Sequence, residues 1–211
     1  MKIIKHSDTN EDLIFIQMSD IHEEGMIEKE ISLIKEMTQR KFGFVVCMAD
    51  DWNRDLSPWG SPAVFGDEPF GGRGSETLDE LLRMLGNKRP GQKMILGGYS
   101  LAGLFALWAS YKSDMFDGIA AASPSVWYPD FLAFTRENEI KTNVVYLSLG
   151  DKEEKTKNPV MRTVGDAIRA LYAQYKDTDG IKTMLEWNEG NHFKEPDLRM
   201  AKALAWCIGN V

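Results

Sequence analysis

Met94-Ile95-Leu96-Gly97-Gly98-Tyr99-Ser100-Leu101-Ala102-Gly103 places an apolar run directly before a turn and a helix of small and apolar residues. The pattern Gly98-x-Ser100-x-Ala102 lies at the turn, with alanine as its last small residue. A serine in such a turn adopts a strained backbone conformation, so its neighbours two positions away must lack bulk. Between a strand and a helix the pattern is typical of a nucleophile elbow, which presents a serine hydroxyl to a substrate. An ordinary strand-turn-helix is the alternative that these residues alone leave open.

Short apolar runs alternate with helical patterns along the rest of the chain. The predicted strands are 13–18, 44–49, 94–99, 118–122, 144–149 and 183–187. Near-continuous apolar runs of this length are typical of strands covered on both faces, as in a parallel sheet. The alternation predicts one α/β domain over residues 1–211, with a doubly wound, mostly parallel sheet of about six strands and helices on both faces.

Helix boundaries are predicted from capping residues. Thr77 and Glu80 form a capping-box pattern, and Gly86 is the expected end of the same helix. Asn158 is expected to cap a further helix, and Pro196 to begin the last one. Residues 50–75, rich in proline, glycine and aromatic side chains, show no periodic pattern, and a loop of that length in a compact domain is usually functional.

Composition excludes several classes of partner. The chain has 211 residues and a formal net charge of −7, whereas nucleic acids and anionic membranes require a basic face. No apolar run approaches the roughly 20 residues that span a bilayer. Cys47 and Cys207 lie in apolar segments and are expected to be buried, reduced thiols. We therefore expect a cytoplasmic protein that binds neither nucleic acid nor membrane.

A serine nucleophile requires a base, and the base requires an orienting acid. His192 follows the last predicted strand directly, at the rim where open α/β sheets place their chemistry. The acid is expected between the serine and the histidine in chain order, after the preceding strand. Residues 150–155 provide three carboxylates there; alone they are typical of a solvated charge run. Glu153 is the favoured acid and Asp151 the alternative.

The combined motifs resemble the esterase branch of the α/β-hydrolase superfamily, which includes relatives of esterase D, feruloyl esterase and enterochelin esterase. The similarity runs from about residue 13 to the end of the chain and rests on 98–103, 122–127, 150–154 and 190–192. It implies that Ser100 is the nucleophile, His192 the base and a residue of 151–154 the acid. It also implies an oxyanion hole formed by the Leu101 N–H and by the loop Ser19-Asp20-Ile21.

The chain departs from that family in two respects. Met18-Ser19-Asp20 stands where the family usually has a His-Gly pair, which leaves Asp20 as the candidate second oxyanion donor. The chain is also short for the family, so neither a cap domain nor the extra N-terminal strands are expected. The binding surface is therefore expected to come from loops, and the candidate wall residues are Trp52, Trp59, Phe70, Tyr99, Trp127 and Tyr128.

These features predict hydrolysis of small carboxylic esters through a Ser-His-acid triad and an acyl-enzyme, with no cofactor and no metal. His22-Glu23 begins like a zinc-protease helix, but no second histidine follows at the required spacing. The same machinery could act on thioesters or amides, or transfer the acyl group to another acceptor. A hydrolase-like protein that binds without catalysis is the alternative from a different class.

Overall fold

A computed structural model describes residues 1–7, 10–20 and 24–211, except for the side chain of Glu24. The strands are β1 (Lys2–Lys5), β2 (Leu13–Ser19), β3 (Gly43–Met48), β4 (Gly60–Ser61), β5 (Phe70–Gly71), β6 (Lys93–Tyr99), β7 (Gly118–Ala122), β8 (Val144–Gly150) and β9 (Lys182–Asn188). The helices are α1 (Glu24–Met37), α2 (Trp52–Asp55), α3 (Gly74–Leu85), α4 (Leu101–Lys112), α5 (Phe131–Glu137), α6 (Val164–Lys176) and α7 (Pro196–Ile208), with 3₁₀ turns at Glu153–Lys155 and Met161–Thr163.

Seven strands form the central sheet, in the order β1-β3-β2-β6-β7-β8-β9. All six predicted strands are present, and they run parallel to one another in the sheet. The predicted number was one too low, because β1 pairs antiparallel with β3 at the edge of the sheet. With a lysine at each exposed end, that short edge strand lacks the apolar run of a central strand. Strand order reverses between β2 and β6, where open α/β sheets form a crevice.

Helices cover both faces of the sheet, as predicted. Helices α1 and α7 pack on one face, around a core that includes Ile27, Ile34 and Leu204. Helices α3, α4, α5 and α6 contribute to the core on the other face. Eleven residues of α4, Leu101–Tyr111, are buried, because this helix lies between the sheet and the other elements of its layer. Burial on all sides fixes the position of its N-terminus next to Ser100.

Two of the predicted helix boundaries are confirmed, and one is wrong. Helix α7 begins at Pro196, and α3 ends at Gly86, whose φ of 68° favours glycine. The capping box at Thr77 is wrong, because α3 begins at Gly74. There the Gly74 N–H donates to the Ser57 carbonyl at 2.9 Å. A tertiary contact therefore sets the start of this helix.

The two remaining predictions are borne out only in outline. The Asn158 side chain accepts bonds from the N–H groups of Val160 and Met161, but it begins a 3₁₀ turn before α6. The aperiodic segment 50–75 contains the short helix α2 and a two-stranded hairpin, β4-β5.

Cys47 and Cys207 are both buried free thiols, and burial raises the pKa of Cys47 to about 12. None of the helices in the described ranges has the length and apolar content needed to cross a bilayer.

Candidate active site

Ser100 is the single residue between β6 and α4, and its backbone is strained. Its φ of 57° and ψ of −121° lie in a region that non-glycine residues rarely occupy. The turn brings the backbone of residue 98 against residue 102: a Cβ on Gly98 would lie 2.5 Å from the Ala102 carbonyl carbon. A Cβ on Gly103 would similarly lie 2.9 Å from the Gly98 carbonyl oxygen. Small residues at 98 and 103 are therefore a steric requirement of this turn.

The hydroxyl of Ser100 lies within hydrogen-bond distance of His192. Ser100 Oγ is 3.0 Å from His192 Nε2 and 3.4 Å from Ser125 Oγ. On the other side of the imidazole ring, Nδ1 is 2.7 Å from Glu153 Oε2. Three side chains that are distant in the sequence thus form a continuous hydrogen-bonded relay at the carboxyl edge of the sheet. The arrangement matches the order that the sequence predicts: serine, imidazole, carboxylate.

Glu153 is buried and bound on both carboxylate oxygens. Oε1 accepts from the Gly150 N–H at 2.7 Å, from Ser123 Oγ at 2.8 Å and from Arg199 Nη1 at 2.9 Å. Burial opposes ionisation, but the hydrogen bond and charge of His192, then the Gly150 N–H and the Ser123 hydroxyl, outweigh it and hold the pKa of the carboxyl below its ordinary value. An ionised carboxylate only accepts hydrogen bonds, so Nδ1 carries the imidazole proton and Nε2 is free to accept from Ser100.

The other two carboxylates of this segment have different partners. Asp151 Oδ1 accepts from the Gly190 N–H at 2.7 Å, and therefore ties residues 150–155 to the loop that carries His192. Glu154 forms a two-point ion pair with Arg169, at 2.9 and 3.1 Å. Of the three carboxylates that the sequence places after β8, Glu153 is the one in contact with the imidazole.

The candidate oxyanion donors lie at the ends of two neighbouring strands. Leu101 is the first residue of α4, where backbone N–H groups and the positive end of the helix dipole lie beside Ser100. Asp20 directly follows β2, which pairs with β6 along the sheet. Ile21, the last residue of the predicted oxyanion loop, and the histidine of the His22-Glu23 motif lie outside the described residues.

A cavity of about 590 Å³ opens beside Ser100 and His192. Of the predicted wall residues, Trp52 and Trp127 line it. Five further apolar residues, which the sequence analysis missed as wall residues, also line it: Phe65, Pro124, Met161, Val164 and Phe193. Phe193 is 85% exposed, and the ammonium-bearing Lys152 and Lys155 also border the cavity. The cavity could therefore accept an apolar group next to the serine.

The other predicted wall residues have packing roles. Trp59 Nε1 donates to the Pro129 carbonyl at 3.2 Å, and the Trp59 ring packs against Tyr128 and Phe134. Phe70 packs against Trp127 and Tyr128, behind the cavity wall.

Tyr99 is buried beneath the imidazole ring, with ring centroids 5.2 Å apart, and its hydroxyl donates to the His192 carbonyl at 2.6 Å. Tyr99 therefore supports the histidine loop from below.

Within residues 1–7, 10–20 and 24–211, no group of three or more His, Cys, Asp or Glu side chains is arranged to hold a metal ion.

No family model and no curated protein matches this sequence, but many solved structures match the fold. An IroE-like serine hydrolase from Shewanella oneidensis has a TM-score of 0.73 at 16% identity, covering 92% of this chain and 69% of its own. The siderophore hydrolase EstA from Aspergillus nidulans has a TM-score of 0.66 at 18% identity, covering 93% and 82%. An S-formylglutathione hydrolase from Agrobacterium tumefaciens has a TM-score of 0.56 at 16% identity, covering 92% and 82%.

The chain has the α/β-hydrolase fold. The structural neighbours match the esterase branch that the sequence resembles. In this hydrolase fold the sheet edge that carries Ser100, Glu153 and His192 is the usual location of the chemistry.

Two buried residues of the candidate site were missed by sequence reasoning. Ser123, at the end of β7, has a φ of 44° and donates its hydroxyl to Glu153. Arg199, in the first turns of α7, is 2% exposed and is among the largest buried side chains of the described residues. One signal could have identified it: Arg199 lies on the same helical stripe as the buried Ala203 and Cys207, where a cation requires a buried partner.

Proposed function

We propose that this protein is a serine esterase that hydrolyses small carboxylic esters through an acyl-enzyme. The observation that carries the proposal is the relay from Ser100 Oγ through the imidazole to Glu153, with contacts of 3.0 and 2.7 Å. In this proposal Ser100 is the nucleophile, His192 the general base and Glu153 the acid that orients it. The strained φ of Ser100 and the small residues around it support the same assignment.

Acylation begins when Ser100 Oγ attacks the ester carbonyl carbon while His192 Nε2 takes the hydroxyl proton. The carbonyl oxygen becomes an oxyanion, and the Leu101 N–H at the start of α4 is its first proposed donor. A donor after β2, at Asp20, is the second. Collapse of the tetrahedral intermediate breaks the bond to the alkoxy oxygen, which leaves as the alcohol with the proton held on Nε2.

Deacylation repeats these steps with water. Nε2 takes a proton from a water molecule, the resulting hydroxide attacks the acyl carbon, and the Ser100 oxygen leaves with that proton. Glu153 keeps the proton on Nδ1 throughout and stabilises the imidazolium that forms transiently. The net reaction converts one ester and one water into a carboxylic acid and an alcohol.

The apolar cavity supports an ester with an apolar group of moderate size. Phe65, Trp127 and Phe193 provide aromatic contacts beside the serine. Among the structural neighbours are hydrolases of siderophores and of S-formylglutathione, so a thioester belongs in the substrate panel as well as oxygen esters.

A fluorophosphonate probe tests the proposal directly. We expect the folded protein to gain one adduct by intact mass, and peptide mapping to assign it to Ser100 and not to the neighbouring Ser125. Ser100→Ala should abolish labelling, while Ser32→Ala, on the exposed side of α1, should leave it unchanged. An unlabelled folded protein would favour a binding protein over an enzyme. If the protein is labelled at Ser100, kcat/KM values for a panel of aryl esters and a matched thioester then rank the substrates.

A further inference from the structure

Arg199 is a buried cation that contacts four segments of the candidate site. Its Nη1 lies 2.9 Å from Glu153 Oε1, 3.0 Å from Ser123 Oγ and 3.2 Å from the Tyr99 hydroxyl. Its Nη2 donates to the carbonyl of Asn191 at 2.9 Å, and to a second carbonyl of the same loop at 3.3 Å. One guanidinium therefore joins the carboxylate, the end of β7, the end of β6 and the histidine loop.

The end of β8 leaves room for this guanidinium because residue 150 is a glycine. A Cβ on Gly150 would lie 2.9 Å from Arg199 Nη2 and 2.4 Å from the Gly190 carbonyl oxygen, so only glycine fits at the end of β8. A buried cation is strongly unfavourable unless it is paired and hydrogen-bonded. Here the carboxylate, two hydroxyls and two carbonyls satisfy it, and Glu153 balances its charge.

The contacts of Arg199 determine which way Glu153 faces. Because Arg199, Ser123 and the Gly150 N–H all bind Oε1, the other oxygen is left for the imidazole. The carbonyls that Arg199 binds belong to residues 189 and 191, three positions and one position before the histidine. A lysine ammonium could not reproduce this arrangement, since it lacks the planar fork that reaches both sets of acceptors.

We propose that Arg199 is a positioning residue of the esterase site, which orients Glu153 toward His192 and holds the histidine loop in reach of Ser100. The inference rests on the proposed function, because Glu153, which Arg199 binds, is the proposed acid of the triad. Arg199 touches neither the serine nor the cavity, so it acts through Glu153 and through the loop.

Arg199→Met tests the proposal, with Lys202→Met as the matched control. Lys202 lies on the same helix and pairs with Glu186 at 2.6 Å, away from the relay. Loss of Arg199 is expected to lower kcat by about 10- to 100-fold, the effect of losing hydrogen bonds to a charged group in the transition state. Lys202→Met is expected to stay within about twofold of the parent.

The pH profile separates positioning from a merely structural role. Removing a cation beside Glu153 makes protonation of the carboxyl–imidazole pair easier, so the acidic limb of kcat/KM should move to higher pH by about one unit. The charged and titratable groups around Glu153 are His192, Arg199 and Tyr99, with Asp151, Lys152, Glu154 and Lys155 on its own segment. Burial raises the pKa of Tyr99 to about 12, so it stays neutral across the profile.

A double-mutant cycle with Glu153→Gln provides a second, independent readout. If Arg199 acts through Glu153, Arg199→Met should lower kcat much less in the Glu153→Gln background than in the parent. Two results would overturn the proposal. One is a loss of kcat in the double variant equal to the product of the two single losses, and the other is an acidic limb of the kcat/KM profile that does not move in Arg199→Met. If Arg199→Met alone does not fold, Arg199→Lys, which keeps the positive charge but lacks the planar fork, replaces it in the cycle and is expected to lower kcat in the same background-dependent way.

Failure of the proposed function would be visible separately. The parent protein must first turn over an aryl ester and be labelled at Ser100. Only three histidines occur in the chain, so the His192 Nδ1 proton can also be followed by NMR without any substrate. We expect its downfield signal in the parent and its loss or upfield movement in Arg199→Met. An unchanged signal would contradict the positioning role even if the protein proved inactive.

Discussion

The sharpest test of the relay is the replacement of Glu153 by glutamine, which keeps the shape of the side chain. Oε1 faces three donors, namely the Gly150 N–H, Ser123 Oγ and Arg199 Nη1, whereas Oε2 faces one, His192 Nδ1. The amide oxygen of glutamine must therefore take the Oε1 position, because an NH₂ group there would meet three other donors. Its NH₂ group then faces Nδ1.

This substitution is expected to exchange the tautomer of His192. An NH₂ group opposite Nδ1 forces that nitrogen to accept, so the proton moves to Nε2, the atom that must accept from Ser100. A carboxylate-to-amide change of this kind lowers kcat by about 10⁴-fold in serine proteases, equivalent to about 5 kcal/mol of transition-state stabilisation. Arg199 would also lose its buried counter-charge, which should lower the free energy of unfolding by about 3 kcal/mol.

Asp151→Asn is the matched control. The asparagine oxygen can still accept from the Gly190 N–H, so we expect kcat within about threefold of the parent. The assay is kcat and KM on an aryl ester well below the thermal transition, together with the ¹⁵N shifts of the imidazole nitrogens. A larger loss for Asp151→Asn than for Glu153→Gln would move the acid to residue 151. A Glu153→Gln enzyme with most of its activity and an unchanged tautomer would refute the reasoning.

Three further predictions concern the turn, a distant carboxylate and the cavity rim. Gly98→Ala should lower Tm by about 5 °C or more, since its Cβ would meet backbone, whereas Gly25→Ala, with nothing within 4 Å, should leave Tm unchanged or slightly higher. Burial opposes ionisation of Asp117, but two lysine ammoniums and a backbone N–H outweigh it and hold its pKa below 3.8. The stabilising effect of the ionised Asp117 is therefore fully present above pH 3.8 and is lost as the pH falls through the pKa of the folded state. The free energy of unfolding of Asp117→Asn, measured in urea, should therefore be lower than that of the parent at neutral pH and approach it only in acid. Reversing Lys152 and Lys155 to glutamate should lower kcat/KM for a carboxylated aryl ester a few-fold relative to its neutral analogue, and added salt should reduce the difference.

The fold was predictable where burial leaves a local pattern. Five of the six predicted strands are buried apolar runs, and Gly86 and Pro196 act through their own backbone geometry. Strand β1 was not predictable, because an edge strand of four residues is specified by its pairing with β3 and not by its own pattern. The predicted start of α3 was wrong for a similar reason, since a contact with Ser57 determines where this helix begins.

The candidate site was predictable to the extent that strand ends converge in space. Ser100 and His192 each follow a strand closely, so their meeting at one edge follows from topology. The choice between Glu153 and Asp151 depends on a 3₁₀ turn that rotates the former inward, and spacing alone does not report that rotation. Trp52 and Trp59 lie seven residues apart in one loop, yet only the former lines the cavity, because the latter packs against α5 and the Tyr128 ring.

Charge balance at the acid also indicates how the proposed site gains its rate. Glu153 is already paired with Arg199 in the resting state, so its charge is shared when His192 takes a second proton. A carboxylate between two cations stabilises the new imidazolium less than an unshared one would. Orientation and tautomer control should then account for most of the contribution of Glu153. On that reasoning Glu153→Gln loses activity chiefly because it reverses the imidazole tautomer. Arg199→Met loses activity because the carboxylate is no longer aimed at Nδ1.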